Sequence, residues 1–313
     1  MKVLFVYSGN SGFSGPVKEN QAESLKKSGI EVDHYLVVGR GFTGYLKNIP
    51  KLRKRLNEND FDIVHAHYSL SAMVATLAGA RPLIVSLMGS DVYSKGINRV
   101  IIRFFIKLFW NNCIVKSEAM HKVLKISNLN IIPNGVNLSQ FKIMENIVAK
   151  EKLIWDLNKK HVLFGANPIR AEKNYDLFSK AVRLIDNPEI EVHLLQNVPH
   201  EEVPVIICAS DAVVLTSRRE GSPNVVKEAM ACNRPVVSTD VGDVKYLFGN
   251  EPGYFISDPY PHEIAEKIKQ AVQFSENIGS TNGRKRIIDL GIDSVSIAKK
   301  IIRTYNRIIE KQL

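Results

Sequence analysis

DAVVLTSRREGSPNVVKEAMACNRPVVSTDVGD, residues 211–243, reads as one complete strand–loop–helix–strand unit. The β-branched run that closes at Thr216 has the character of a buried strand. In the loop that follows, Ser222 suits an N-cap and Pro223 the first helical position, where its missing N–H removes no hydrogen bond. The helix is expected to run to about Cys232. Asn233 can take the left-handed conformation that ends it, and the next strand opens at Pro235. The free N–H groups of Asn224 and Val225 at the helix start form a seat for phosphate or hydroxyl oxygens. Glu220 falls in the loop and Glu228 on the helix body, so the two acids can serve one ligand in different ways.

The same alternation extends in both directions. Strands are expected at Val3–Tyr7, Val32–Val37, Asp62–His65, Leu83–Leu87, Cys113–Val115 and Asn130–Ile132, with helices over Pro16–Ser28, Tyr45–Leu56 and Asn98–Trp110. After the turn Pro133–Gly135 a polar, Lys-rich connector runs to about Lys160. The pattern then restarts with strands His161–Phe164, Glu191–Leu195, Ala212–Thr216 and Pro235–Thr239. Such βαβ repetition predicts α/β architecture with parallel, doubly wound sheets and ligands at the carboxyl ends of strands. A length of 313 residues suits two domains. The expected division is a Rossmann-like domain over 1–148, a second over 149–290, and a C-terminal helix over 291–313 that packs back on the first, with a cleft between the two domains. Residues 276–286 (ENIGSTNGRKR) read as a mobile loop.

Composition narrows the function. No apolar run reaches the ~18 residues of a membrane helix, and MKVLFVYSGN is too short in its apolar part for a signal peptide. Three scattered cysteines imply no disulfide framework, and no His/Cys cluster has zinc spacing. A cytoplasmic protein is the expectation. Charge is shared unequally: residues 1–145 hold 19 Lys and Arg against 10 Asp and Glu, whereas residues 146–313 hold 23 against 22. A basic half attracts phosphorylated ligands, anionic lipid or nucleic acid. Nucleic acid is set aside, because no helix-turn-helix, zinc or RNA-binding signature accompanies the charge. The basic amphipathic windows 45–56 and 98–110 point instead to the inner face of an anionic membrane and a peripheral location.

The ordered set of motifs resembles the family 4 retaining glycosyltransferases of the GT-B fold. Its pieces are SGNSGFSG after the first strand, DIVHAHYSLSA, LMGSDVY, IPNGVN, ANPIRAEKN and the Glu220-x7-Glu228 spacing followed by RPVVSTDVG. The resemblance implies an amino-terminal acceptor domain and a carboxy-terminal nucleotide-sugar donor domain. It implies that Glu228 binds the ribose hydroxyls, and that Glu220 holds donor-sugar hydroxyls, with Gly221, Ser222, Pro223, Asn224 and Val225 supplying the backbone around them. Arg170 and Lys173 resemble the basic pair that neutralises the leaving diphosphate. Gly12 and Gly15 let the backbone approach the donor, and His67, Met88 and Asp91 are candidate acceptor or sugar contacts. The implied activity is metal-independent, retaining transfer by front-face attack, from a nucleotide diphosphate sugar to a lipid-linked or glycan acceptor in surface polysaccharide or glycolipid synthesis. No cofactor and no metal are expected.

Several residues depart from this pattern or imitate another. Met88 stands where many members carry a histidine, which favours a donor without a hydroxyl in that region; it also motivates an alternative, a non-catalytic nucleotide-sugar-binding homologue. Asp60-Phe61-Asp62 imitates a D-x-D metal motif but precedes its strand, at the wrong edge for a ligand. His65 and His67 are read as pointing opposite ways, His67 toward a ligand and His65 into the packing.

Overall fold

The computed structural model describes residues 1–10, 15–94 and 96–311, and only the backbone of Phe42. The chain divides into two compact units, one formed by Met1–Gly135 with Ser294–Leu313, the other by Val136–Asp293. Gly12 lies outside the described residues.

In the first unit β1 (Lys2–Ser8), α1 (Pro16–Lys26), β2 (Glu31–Val37), α2 (Gly41–Leu46), α3 (Asn48–Asn57), β3 (Ile63–His67), α4 (Ser69–Ala78) and β4 (Leu83–Ser86) follow one another. Then come α5 (Ile97–Leu108), β5 (Cys113–Val115), α6 (Glu118–Leu124) and β6 (Asn130–Ile131). The six strands pair in parallel in the order β2-β1-β3-β4-β5-β6. Val3, Leu4, Phe5 and Val6 of β1 and Ile63 and Ala66 of β3 have no solvent exposure, as continuous apolar strands covered on both faces require. Edge strand β2 is only partly covered: Val32 and Val37 are buried, and Glu31, His34 and Leu36 are exposed.

The second unit runs through α7 (Asn146–Leu153), β7 (Lys160–Phe164), a 3₁₀ turn over Ala171–Lys173, α8 (Tyr175–Ile185), β8 (Ile190–Leu194), α9 (Val203–Ala209) and β9 (Ala212–Leu215). It continues with α10 (Asn224–Ala231), β10 (Val236–Thr239), α11 (Val244–Phe248), β11 (Tyr254–Ser257), α12 (Pro261–Asn277) and α13 (Gly283–Asp289). Its five strands are also parallel, in the order β11-β10-β9-β7-β8. Each sheet therefore reverses its winding once: between β1 and β3 in the first unit, and between β7 and β9 in the second. Loops leaving the carboxyl ends of two such strands diverge and leave a crevice, the usual ligand position in open α/β sheets.

The boundary falls at Gly135 rather than at residue 148, for a physical reason. Lys150 of α7 is buried in an ion pair with Asp211, 2.9 Å away at the foot of β9, and the guanidinium of Arg284 donates to the carbonyls of Leu138 and Phe141. Those contacts bind residues 136–153 to the second unit. Arg284 likewise corrects the mobile-loop reading of residues 276–286. The helix α12 persists to Asn277, Thr281 is buried, and the N–H of Arg284 donates to the Asn233 side chain. The expected helix over Tyr45–Leu56 is broken at Lys47. Asn48 is buried there, and its amide both donates to Val38 O and accepts from Val38 N, which ties the start of α3 to the end of β2.

The final helix, α14 (Ser294–Glu310), belongs to the first unit and packs on α1. Asn20 of α1 donates to the Ser294 hydroxyl and to the Gly135 carbonyl, both at 2.9 Å. Tyr305, without solvent exposure, meets His65 Nδ1 at 2.7 Å. Counting α14, the first unit carries 23 Lys and Arg against 10 Asp and Glu, a net of +13. The second carries 19 against 22, a net of −3.

Replacing Tyr305 by Phe leaves His65 Nδ1 buried without its partner, and we expect a loss of about 1–3 kcal/mol. The midpoint of chemical denaturation measures it. An unchanged midpoint would mean that the contact does not hold α14.

Candidate functional site

The crevice of the second unit is built by the segments that leave β7 and β9. Gly165 ends β7 beneath α10; a Cβ there would lie 2.9 Å from a Val225 methyl, so the close approach requires glycine. The turn then rises through Arg170 to the 3₁₀ turn, where the Thr216 hydroxyl donates to the carbonyls of Lys173 and Asn174 at 3.2 and 3.0 Å. The two loops are thereby tied together directly above the reversal of the sheet.

Lys173 and Glu220 meet across this tie. The Lys173 ammonium donates to Glu220 Oε1 at 2.5 Å, and the Ser217 hydroxyl donates to the same oxygen at 2.7 Å. Their side chains are 13% and 16% exposed, which places the pair at a partly desolvated surface where charges interact more strongly than in water. Arg170 is not part of this contact. Its side chain is well exposed and pairs with Glu172, with Nε 2.7 Å from Oε1. Of the two expected cations, Lys173 is held in the crevice and Arg170 stands at its rim.

The Glu220 loop is braced from its other side. Gly242, at φ +63°, lies against it so closely that a Cβ would come within 2.8 Å of the Gly221 carbonyl oxygen. Thr239 Oγ1 donates to the Ser217 carbonyl at 2.7 Å. Gly242, Thr239 and Ser217 escaped the sequence reading, although Gly242 sits in the quoted VSTDVGD and a glycine three residues after a strand is the available signal.

The helix α10 begins one residue later than the sequence suggests. Pro223, in extended conformation, is the N-cap, and no side chain caps the helix. The Ser222 hydroxyl, expected to do so, accepts from the Lys227 ammonium at 3.0 Å, and it also bonds the Asp243 carboxyl. The N–H groups of the first turn, from Asn224 and Val225 onward, are left for a ligand. Lys227 is buried, and burial pushes its ammonium down to about 8 against the opposing pull of Asp243 and Glu228. Glu228, half-buried on the next turn of α10, has its carboxyl pushed up to about 7 by burial, with Lys227 acting in the other direction. Lys227 was invisible in the sequence, where a lysine at this spacing reads as a solvated helix face.

In the first unit Gly15, at φ +77°, precedes α1, and its carbonyl accepts from the N–H groups of Lys18 and Glu19. Lys18, on the first turn of α1, holds its ammonium 4.9 Å from the centre of the Tyr7 ring. His67 ends β3 and is buried, with Nε2 lacking a hydrogen-bond partner among the described residues. Its ring stacks on that of His65, centroids 4.3 Å apart. The two histidines therefore point the same way, since residues two apart share one face of a strand. Burial lowers both: His65 to about 3, and His67 well below the ordinary imidazole range.

Asp91, a candidate sugar contact, turns its carboxylate onto the backbone. It is buried, and its carboxylate accepts from the N–H groups of Met88, Gly89, Val92 and Ser69 at 2.9–3.2 Å. It fixes the turn on which half-buried Met88 is presented. Asp60 and Asp62 are exposed at the amino end of β3, where Asp62 accepts from the Lys2 N–H.

Comparison with known proteins agrees with this geometry. Residues 12–140 match the model of Glycosyltransferase Family 4, and residues 142–273 that of Glycosyl transferases group 1. Over 248 residues the chain is 27% identical to TuaC of Bacillus subtilis, a glycosyltransferase named for teichuronic acid biosynthesis; the match covers 69% of this chain and 63% of that relative's length. It is 25% identical over 308 residues to the UDP-Gal:alpha-D-GlcNAc-diphosphoundecaprenol alpha-1,3-galactosyltransferase of Escherichia coli, covering 83% of this chain and 79% of the other. Among solved structures, the sucrose-phosphate synthase of Thermosynechococcus elongatus superposes with a TM-score of 0.82 over 99% of each chain at 17% identity, a likeness of fold.

The raised Glu228 carboxyl makes stability depend on pH. In the unfolded chain it ionises near 4.5, in the fold near 7, so the folded form loses stability as pH climbs from 4.5 through 7. Glu228→Gln removes that loss. We expect the variant to exceed the wild type by about 3 kcal/mol at pH 8 and to match it at pH 4. Melting curves at both values test this; a difference independent of pH would contradict it.

Proposed function

The chain belongs to the family 4 glycosyltransferases of the GT-B fold, and from that premise we propose that it performs metal-independent, retaining transfer from a nucleotide diphosphate sugar to a lipid-linked or glycan acceptor. The observation that carries the reading is the Lys173–Glu220 pair beside the uncapped start of α10, at the point where the donor-domain sheet reverses. Breaking a glycosyl–phosphate bond leaves charge on the diphosphate, and fixed positive groups that await this charge lower the barrier. Lys173, Arg170 at the rim and the N–H groups of Asn224 and Val225 supply it without a cation. Glu228 accepts hydrogen bonds from the ribose, and Glu220 from the transferred sugar. The leaving phosphate takes the acceptor proton in a front-face displacement, so no second carboxylate is needed as base.

The acceptor side is read from the first unit. The E. coli relative is named for a diphosphoundecaprenol substrate and TuaC for teichuronic acid biosynthesis, which supports a lipid-linked or glycan acceptor and a role in surface polysaccharide or glycolipid synthesis. Among the described residues no helix is long and apolar enough to cross a membrane. Helix α5 offers another mode of attachment. Only Ile102 and Ile106 of it are buried, whereas Ile97, Val100, Ile101, Phe104 and Leu108 are exposed. At about 100° per residue these five form one stripe, flanked along one side by Arg99, Arg103 and Lys107. An apolar stripe beside a row of cations suits the surface of an anionic bilayer, with the rest of the +13 unit adding attraction at longer range. We therefore place the protein at the cytoplasmic face of a membrane as a peripheral enzyme.

Two experiments test the catalytic reading. Glu228→Ala should weaken nucleotide binding about tenfold or more, because charge-assisted hydrogen bonds contribute about 1.5–3 kcal/mol; an unchanged dissociation constant would remove Glu228 from the donor site. Sugar transfer should survive EDTA, and a magnesium or manganese requirement restored by add-back would reject the mechanism. Nucleotide-sugar binding without turnover on any acceptor would favour the alternative, a non-catalytic binding homologue, for which Met88 is the motive.

For the membrane, vesicles of anionic lipid should retain the protein at low salt and release it at high salt. Phe104→Ser with Leu108→Ser should weaken that retention while leaving nucleotide binding unchanged. Equal binding to neutral and anionic vesicles would contradict the role given to the basic flank.

A further inference from the structure

On the second sheet, away from the donor loops, β7 and its edge neighbour β8 bring one side chain together with two that lie thirty and thirty-two residues further along the sequence. His161, Glu191 and His193 project from one face, since His161 pairs with Glu191 in register and residues two apart on β8 share a side. One ligand atom from each lies within 4.8 Å of the others, the only such group of three among the described residues. His161 Nδ1 is 2.8 Å from His193 Nε2, and that nitrogen is 3.7 Å from Glu191 Oε1. His161 is without solvent exposure, His193 is half-buried, and Glu191 closes the cluster from the solvent side.

The partners of His161 fix its chemistry. Its Nε2 lies 2.8 Å from the Asp156 carbonyl, which can only accept, so Nε2 carries the proton and Nδ1 presents a lone pair to the cluster. A ring nitrogen that donates to a backbone carbonyl while its other nitrogen faces a second imidazole and a carboxylate is the usual arrangement around a metal-bound histidine. Trp155 covers the group: its ring lies flat on His193 at 3.6 Å between centroids and tilted on His161 at 4.7 Å. The face beneath the cation position is thus dry and the face above it is open at Glu191.

We propose that His161, His193 and Glu191 bind a divalent transition ion, zinc being the representative, through His161 Nδ1, His193 Nε2 and a Glu191 carboxylate oxygen. Two imidazoles and a carboxylate are the ligand set that zinc accepts with one position left to water. Nitrogens bound at about 2.0–2.1 Å in tetrahedral geometry sit about 3.3 Å apart, so the histidines open by about half an ångström and the exposed Glu191 swings inward. The proton now shared between the rings leaves Nε2 of His193 and returns at its Nδ1, which keeps the imidazole neutral. The ion cross-links edge strand β8 to β7 and, through Asp156, to the connector after α7. His161 is near the amino end of β7, roughly 13 Å along the strand from Gly165, so the ion braces the donor domain and takes no part in glycosyl transfer. The sequence reading that no His/Cys cluster had zinc spacing missed it because strand pairing, not local spacing, assembles the ligands.

The test uses the full chain, stripped with EDTA and desalted, titrated with cobalt(II) and then zinc. We expect one equivalent of cobalt to produce the visible bands of a tetrahedral site and to quench Trp155, and zinc to displace it. At a free zinc concentration about a hundredfold above the dissociation constant the melting temperature should rise by about 5 °C. Glu191→Gln should bind about tenfold more weakly and His193→Gln about a hundredfold. Glu191 is on the surface, so its variant carries the test even if substitution of His193 disturbs the fold. Absence of saturable binding, or affinity unchanged in Glu191→Gln, overturns the proposal. Nucleotide binding by the stripped chain is read in parallel, and its persistence separates this ion from the donor site.

Discussion

The donor half depends on one constraint: β8 is wound onto the opposite side of β7 from β9, so the chain leaving β7 and the chain leaving β9 part above neighbouring strands. Everything assigned to the donor is placed by that divergence. Lys173 comes from the first of these loops and Glu220 from the second, and the ion pair between them closes the gap that the winding opens. A loop bearing a carboxylate and a loop bearing an ammonium would each be free to move in solvent. Joined at a partly buried contact, and tied again through Thr216 to the carbonyls of Lys173 and Asn174, they form one rigid rim. Pre-organisation of this kind lets the same charges stabilise a transition state without first being reoriented.

Close backbone approach is the second device, and it explains two glycines that carry no chemistry. Gly165 lets α10 descend onto the end of β7, which brings the open N–H groups of its first turn over the crevice. Gly242 lets the turn after β10 lie on the Glu220–Gly221 peptide. With these contacts the helix start needs no capping side chain of its own. Ser222 is released to join Lys227 and Asp243 in a buried polar network beneath the loop. A buried lysine there has a double effect. It raises the positive potential under the anion seat, and it opposes the burial that holds Glu228 partly protonated near neutrality.

Much of this was legible in the sequence and some was not, for identifiable reasons. Parallel strands buried on both faces announce themselves as unbroken apolar runs, so β1, β3, β7, β9 and β10 were readable. Edge strand β11 was not, because its half-buried Tyr254–Ser257 segment is too short and mixed to carry a period. Glu220, Glu228 and Lys173 were found through their motif. Arg170 was found but not its pairing with Glu172, since an exposed guanidinium takes whatever carboxylate is within reach. Lys227 and the His161–Glu191–His193 group were missed because their meaning arises from burial and strand register, which local sequence does not encode. The two histidines of β3 were misread by a step in the pleat: residues 65 and 67 share a face, and their rings stack.

The first unit illustrates how a fold can hold a loop constant while changing what it presents. Asp91 spends its whole carboxylate on four backbone N–H groups around Met88, and burial raises the carboxyl only against the pull of those bonds. The shape of the turn is therefore set by Asp91 and by Gly89, whose φ of +115° suits glycine, and not by the side chain at residue 88. A histidine or a methionine can occupy that place on an unchanged backbone. A thioether offers no donor and a weak acceptor where an imidazole offers both. On the proposed reading that the donor sugar meets Met88, the exchange removes a polar partner without relaxing the loop: a hydroxyl presented there gains nothing from the contact, and a methyl group or a hydrogen loses nothing. Selectivity made this way is graded rather than absolute, because an apolar wall rejects an added hydroxyl only modestly.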